Sequence, residues 1–74
     1  MSDRDPRMEP WAGDVLRGPN GKRLETRTIH AVIGGNVYYT PGKIRTGYLV
    51  ARSLESFQRW AKTAEIISRG DQYA

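Results

Sequence analysis

Three glycine- and proline-rich turns cut the middle of this chain into pieces that suit strands better than helices. Gly18-Pro19-Asn20-Gly21 supplies a proline for the first corner and a glycine free to take positive φ. Gly34-Gly35-Asn36 lies between two strand-like runs, and Pro41-Gly42 is the third turn. Residues 14–17, 22–33, 37–40 and 44–52 lie between them, rich in β-branched and aromatic side chains.

The longest of these segments alternates with period two near its end. Ile29, Ala31 and Ile33 share one face and are placed inward; Thr28, His30 and Val32 share the other. Upstream, Arg23, Glu25 and Arg27 have the same parity as Ile29. A charged half and an apolar half of one face are not expected to be core together. Either the strand leaves the core there, or a bulge switches the parity and turns Leu24 inward. In the next strand Val37 and Tyr39 face inward and Tyr38 faces out.

After Arg52 the period becomes helical. Ser53 suits an N-cap and Glu55 the first turn. Leu54, Phe57, Trp60/Ala61, Ala64 and Ile67 make one apolar stripe, and Arg69 with Gly70 is the expected stop. The pattern predicts a helix over 54–68 and a frayed end over 71–74. A few strands cannot bury enough surface alone, so the helix supplies the second layer. Phe57 and Trp60 packed on Ile29, Ile33, Val37, Tyr39 and Leu49 form the expected core. The fold class is therefore α+β: a small bent antiparallel sheet of three to four strands, capped by one C-terminal amphipathic helix. One domain is expected over 11–70. Residues 1–10 precede it as an arm, because Pro6, Pro10 and mixed charges leave nothing to bury. Trp11 is expected to start the ordered domain and dock on the core.

With 74 residues, the core is thin and each large apolar side chain matters. The absence of cysteine excludes thiolate metal sites, disulfides and a cysteine nucleophile. No apolar run approaches the roughly 18 residues that span a bilayer, and MSDRDPRMEP is unlike a signal peptide. A cytoplasmic protein without a membrane role is expected. Catalysis finds no support. The one histidine, His30, reads as a half-exposed strand residue, and Asp14, Glu25, Glu55, Glu65 and Asp71 show no paired spacing. Gly18–Lys22 lacks the spacing of a phosphate loop and opens a strand. No enzyme activity, metal or cofactor is expected.

The net charge of +4 is unevenly spread. Residues 15–52 carry seven basic residues against Glu25 alone. Arg17, Lys22, Arg23 and Arg27 flank the first turn, and Lys43 and Arg45 flank the third. If both turns share one end of the sheet, these cations converge on a groove suited to phosphates. Tyr38 and Tyr48 would offer rings for base stacking. The same Tyr and Arg residues also suit a protein-interaction surface, and a thin core gains burial by homodimerising, with Ile66 a candidate contact. A protein partner and a nucleic acid both remain open, with the protein partner or homodimer favoured.

Trp11-Ala12-Gly13-Asp14-Val15, followed by a turn, a strand, Gly34-Gly35 and Val37-Tyr38-Tyr39, resembles the opening of small SH3-like barrels of the KOW type. The resemblance covers residues 11–40, without the glycine pattern inside the KOW loop. It implies an SH3-like partial barrel that binds RNA or a protein partner. The helix sequence SLESFQRWAK, residues 53–62, is similar in style to small bacteriophage and prophage proteins. That implies an accessory protein of such an element.

Overall fold

A computed structural model describes residues 4–42 and 49–70. They form β1 (Val15–Asn20), β2 (Arg23–Ile33), β3 (Asn36–Pro41), β4 (Val50–Ser53), α1 (Leu54–Ala61) and β5 (Glu65–Ser68). All pairings are antiparallel, in one sheet ordered β4-β3-β2-β1-β5. The β1–β2 hairpin closes with Asn20 opposite Arg23. The β2–β3 hairpin closes through Gly34 and Gly35 at φ 59° and 79°, the left-handed pair that a two-residue hairpin turn requires.

A bulge between Ile29 and Ala31 decides which residues of β2 are core. Up to Ile29, odd positions face inward: Arg27 lies opposite Leu16, and Ile29 opposite Tyr39. Past the bulge Val32 pairs with buried Val37, so parity has flipped. Ile33, expected inward, is therefore turned out and is 63% exposed. Leu24, upstream of the bulge, keeps its outward parity and is 69% exposed. Leu49 is likewise 54% exposed rather than core. The buried cluster consists of Leu16, Ile29, Val37, Tyr39, Phe57, Ala61 and Ala64, with Val50, Leu54, Trp60 and Ile66 packed against it.

The helix is shorter than its stripe suggests. It spans Leu54–Ala61, and residues 65–68 form β5 along the edge of β1. Ala64 and Ile67 fit a helical spacing, but Thr63, Ile66 and Ile67 are β-branched and favour a strand. Pairing with β1 puts Ile66 beside Leu16 and so provides inward burial that continuing the helix would forgo. Gly70 lies beyond this strand and terminates no helix. At the other end Ser53 does cap α1: its Oγ accepts from the Ser56 amide at 3.1 Å. Ser53→Ala should destabilise the protein by about 1 kcal/mol, measured by urea unfolding.

Residues before β1 have more to bury than their composition suggests. Arg4, Pro6 and Pro10 are all buried. The organiser is Asp14, which is fully buried. Arg4 donates to it through both terminal nitrogens, at 2.7 and 2.9 Å. The Trp11 and Gly70 amides each donate at 2.7 Å. Arg4 also donates to the Glu9 carbonyl, and Arg69 donates to the Arg4 carbonyl. One carboxylate thus ties the N-terminal segment, the turn into β1 and the end of β5. Burial alone pushes the Asp14 carboxyl up, but the donors from Arg4, Gly70 and Trp11 together hold it below the usual aspartate value. Trp11 does not dock into the core as expected. It is 41% exposed, with the Arg4 guanidinium 4.3 Å from its ring centre.

Candidate binding surface

The eight residues singled out by charge and aromaticity take very different positions. Arg17 lies on the outward face of β1, where its Nη2 donates to Glu65 of β5 at 2.9 Å. Both side chains are well exposed, so this pair contributes little stability. Lys22 and Arg23 stand exposed at the tip of the β1–β2 hairpin. Tyr38 is half-buried on the outward face, between Ala31 of β2 and Ala51 of β4. Lys43, Arg45 and Tyr48 lie outside the described residues.

Arg27 is 9% exposed, and its environment explains how a charged residue shares the face of Ile29. Its Cζ lies 3.9 Å from the Trp60 ring centre and 4.4 Å from that of Tyr39. The guanidinium is thus stacked by two aromatic rings, an arrangement that suits its weakly hydrated plane. Its Nε donates to Glu25 Oε2 at 2.6 Å, and Asn20 Nδ2 donates to the other oxygen of Glu25. Trp60 is seated over Gly18, where a Cβ would come within 3.1 Å of the indole Cζ2. Its Nε1 is buried without a hydrogen-bond partner.

Both turns named by the sequence meet at this end of the sheet. Gly42 donates its amide to the Thr26 carbonyl at 2.6 Å, and Pro41 lies opposite Arg27. Between the turns is a shallow, open depression of about 280 Å³, lined by Asn20, Arg23, Leu24, Glu25, Pro41 and Gly42. The expected convergence of the first and third turns is therefore present as far as Gly42. Arg23 lines it and Lys22 stands beside it on the same tip, while Arg17 and Arg27 are held by carboxylates.

Glu25 and Trp60 complete the site and were absent from the sequence-based set. Glu25 was readable from its i, i+2 spacing to Arg27 on one strand face. Trp60 was expected in the core, but nothing local marks it as a partner of Arg27. His30 is exposed at the bulge, its Nε2 2.7 Å from Thr40 Oγ1. Among the described residues, no group of three or more His, Cys, Asp or Glu side chains is placed to hold a metal ion. No described helix is long and apolar enough to cross a membrane.

The two central tyrosines should separate cleanly on substitution. Tyr39→Ala removes a buried ring and one side of the Arg27 stack, and should cost about 3 kcal/mol in chemical denaturation. Tyr38→Ala should cost under about 1 kcal/mol, because its ring lies on the uncovered face.

Comparison with protein-family models, with curated proteins and with solved structures finds no match to this chain.

Proposed function

We propose that this chain is a small non-enzymatic protein-interaction module, an SH3-like partial barrel of the kind carried by phages and prophages. The barrel reading is supported by the strand order and by where the core draws its side chains. In a flat sheet, β4 and β5 would lie about 19 Å apart at the 4.8 Å strand spacing. Yet Val50 from β4 and Ile66 from β5 pack on one cluster, with α1 inserted between these strands in sequence. Curling of the sheet brings two such edges to one core.

The observation that favours a protein partner is the disposition of the cations. Of the four basic residues around the first turn, Arg17 and Arg27 are engaged by Glu65 and Glu25. A phosphate-tracking groove gains its affinity from several free cations in a row. What stands free beside Lys22 and Arg23 is apolar Leu24. Mixed apolar and cationic surface of this kind suits a polypeptide better than a sugar-phosphate backbone.

The test is capture of partners from nuclease-treated lysate of the native host. Retention of a protein that survives nuclease supports the module. Loss of every bound species on nuclease treatment counts against it.

A further inference from the structure

We propose that residues 4–11 and the Arg69-Gly70 pair form a two-ended clasp, a conformational device whose ends open and close together while the sheet stays folded. Four observations carry it.

The first is that one carboxylate closes both ends. Asp14 Oδ1 accepts from the Gly70 amide at 2.7 Å and from Arg4 Nη2 at 2.9 Å. Its Oδ2 accepts from Arg4 Nη1 and from the Trp11 amide, each at 2.7 Å. The second is a return contact, in which Arg69 Nη1 donates to the Arg4 carbonyl at 2.9 Å. Lifting Arg4 lets water reach Asp14, and a hydrated carboxylate holds the Gly70 amide more weakly. Lifting Arg69 and Gly70 takes a donor from the Arg4 carbonyl and opens Asp14 to water from the other side. Coupling of this kind is reciprocal.

The third is the seat of Gly70. Its backbone lies directly on residues 12 and 13. A Cβ on Gly70 would collide with the Ala12 carbonyl, and one on Gly13, at φ 95°, would come within 3.0 Å of the Gly70 Cα. Any side chain at position 70 therefore forces that end out. The fourth is that the N-terminal end moves as one piece and has a defined limit. The Met8 and Glu9 amides donate to the Asp5 carbonyl at 2.9 and 2.8 Å, and the Arg7 amide donates to the Asp5 side chain at 3.0 Å. Gln58 of α1 donates to the Met8 carbonyl at 2.7 Å. Past Trp11 the chain is pinned to β2: the Gly13 amide donates to the Ile29 carbonyl, and the Ile29 amide to the Asp14 carbonyl, each at 2.8 Å. Opening stops at those bonds and spares the sheet. Whatever draws away either end then frees the other and bares the surface under Pro6, which is fully buried.

The test is native-state hydrogen exchange of the full chain, followed by NMR across sub-denaturing urea. The amides of Glu9, Trp11 and Gly70 should share one opening free energy and one shallow urea dependence, below those of the β2–β3 ladder. Gly70→Ala should speed exchange at Glu9 and Trp11 about tenfold, the loss of one hydrogen bond to a charged acceptor. Gln58→Ala acts on the N-terminal end through the Met8 carbonyl, and should speed the Gly70 amide about threefold. It decides the matter if Gly70→Ala does not fold. Acceleration confined to the altered end overturns the clasp. So do different opening free energies at the two ends, or an opening that coincides with that of the ladder. These rates involve no partner, so the interaction-module reading stands or falls separately by capture from lysate.

Discussion

Asp14→Ala should cost about 3–5 kcal/mol, a large share of the stability of a domain this small. The size follows from what the carboxylate holds. Removing one partner of a buried ion pair leaves the other charge unpaired, at about 3–5 kcal/mol. Arg4 is that other charge, and its side chain is almost wholly buried. The amides of Trp11 and Gly70 lose their acceptor as well. A domain of 74 residues has roughly 4–11 kcal/mol in total at ordinary stability per residue. Replacing both Arg4 and Asp14 by apolar residues should recover only part of the loss. Such a swap removes the charge penalty but still orphans the two backbone donors. Urea unfolding of the single and double variants measures both terms.

The same residue sets an acid limit. The folded Asp14 carboxyl is held below its ordinary value, so the unfolded chain binds the proton more readily. Its stabilisation is complete above the unfolded aspartate pKa of about 3.9 and is lost as pH falls through the lower, folded value. Stability should therefore drop on the acid side, and in Asp14→Ala that component of the drop should be absent. Urea midpoints between pH 2 and 5 decide the point.

Phe57→Ala has the second largest expected effect, about 3–5 kcal/mol. Phe57 is fully buried in the cluster fed by both sheet edges. Its ring centre lies 5.9 Å from that of Trp60, at an interplanar angle of 46°. An eight-residue helix is not stable alone, so α1 depends on this packing. Losing it should also loosen Trp60 and with it the Arg27 stack. The consequence is specific: Phe57→Ala should broaden or shift the Arg27 Nε–H signal through Trp60, which packs on both. Arg59→Ala, on the exposed face of the same helix, should stay within about 0.5 kcal/mol of the parent.

Much of the scaffold was legible because its signals are local. The glycine turns, the inward Val37 and Tyr39, the Ser53 cap and the buried Phe57 each follow from a few neighbouring residues. β5 was not legible in the same way. Ala64 and Ile67 satisfy a helical spacing, and the pairing that settles the matter joins Ile66 to Leu16, fifty positions earlier. The bulge in β2 carries no glycine or proline to announce it, yet it exchanges the faces of Val32 and Ile33. For the candidate site, the charge cluster at the first turn was visible, but its division was not. Arg17 answers to Glu65 and Arg27 to Trp60, both distant in sequence. Among the described residues, charge density alone therefore overstated how many cations are free. Asp14 was hidden for a related reason: its four donors come from Arg4, Trp11 and Gly70, and only Trp11 is close to it in the chain.

That the surface serves a protein partner rather than a nucleic acid is tested most directly by titrating the full chain with mixed-sequence DNA and RNA, single- and double-stranded, across a salt series. The interaction-module account predicts no association tighter than about 10⁻⁴ M at physiological salt, the weak end of non-specific binding. It also predicts no change in any residual binding on Arg23→Ala. A log-linear loss of affinity with salt, with a slope reduced by about one in Arg23→Ala, would contradict it.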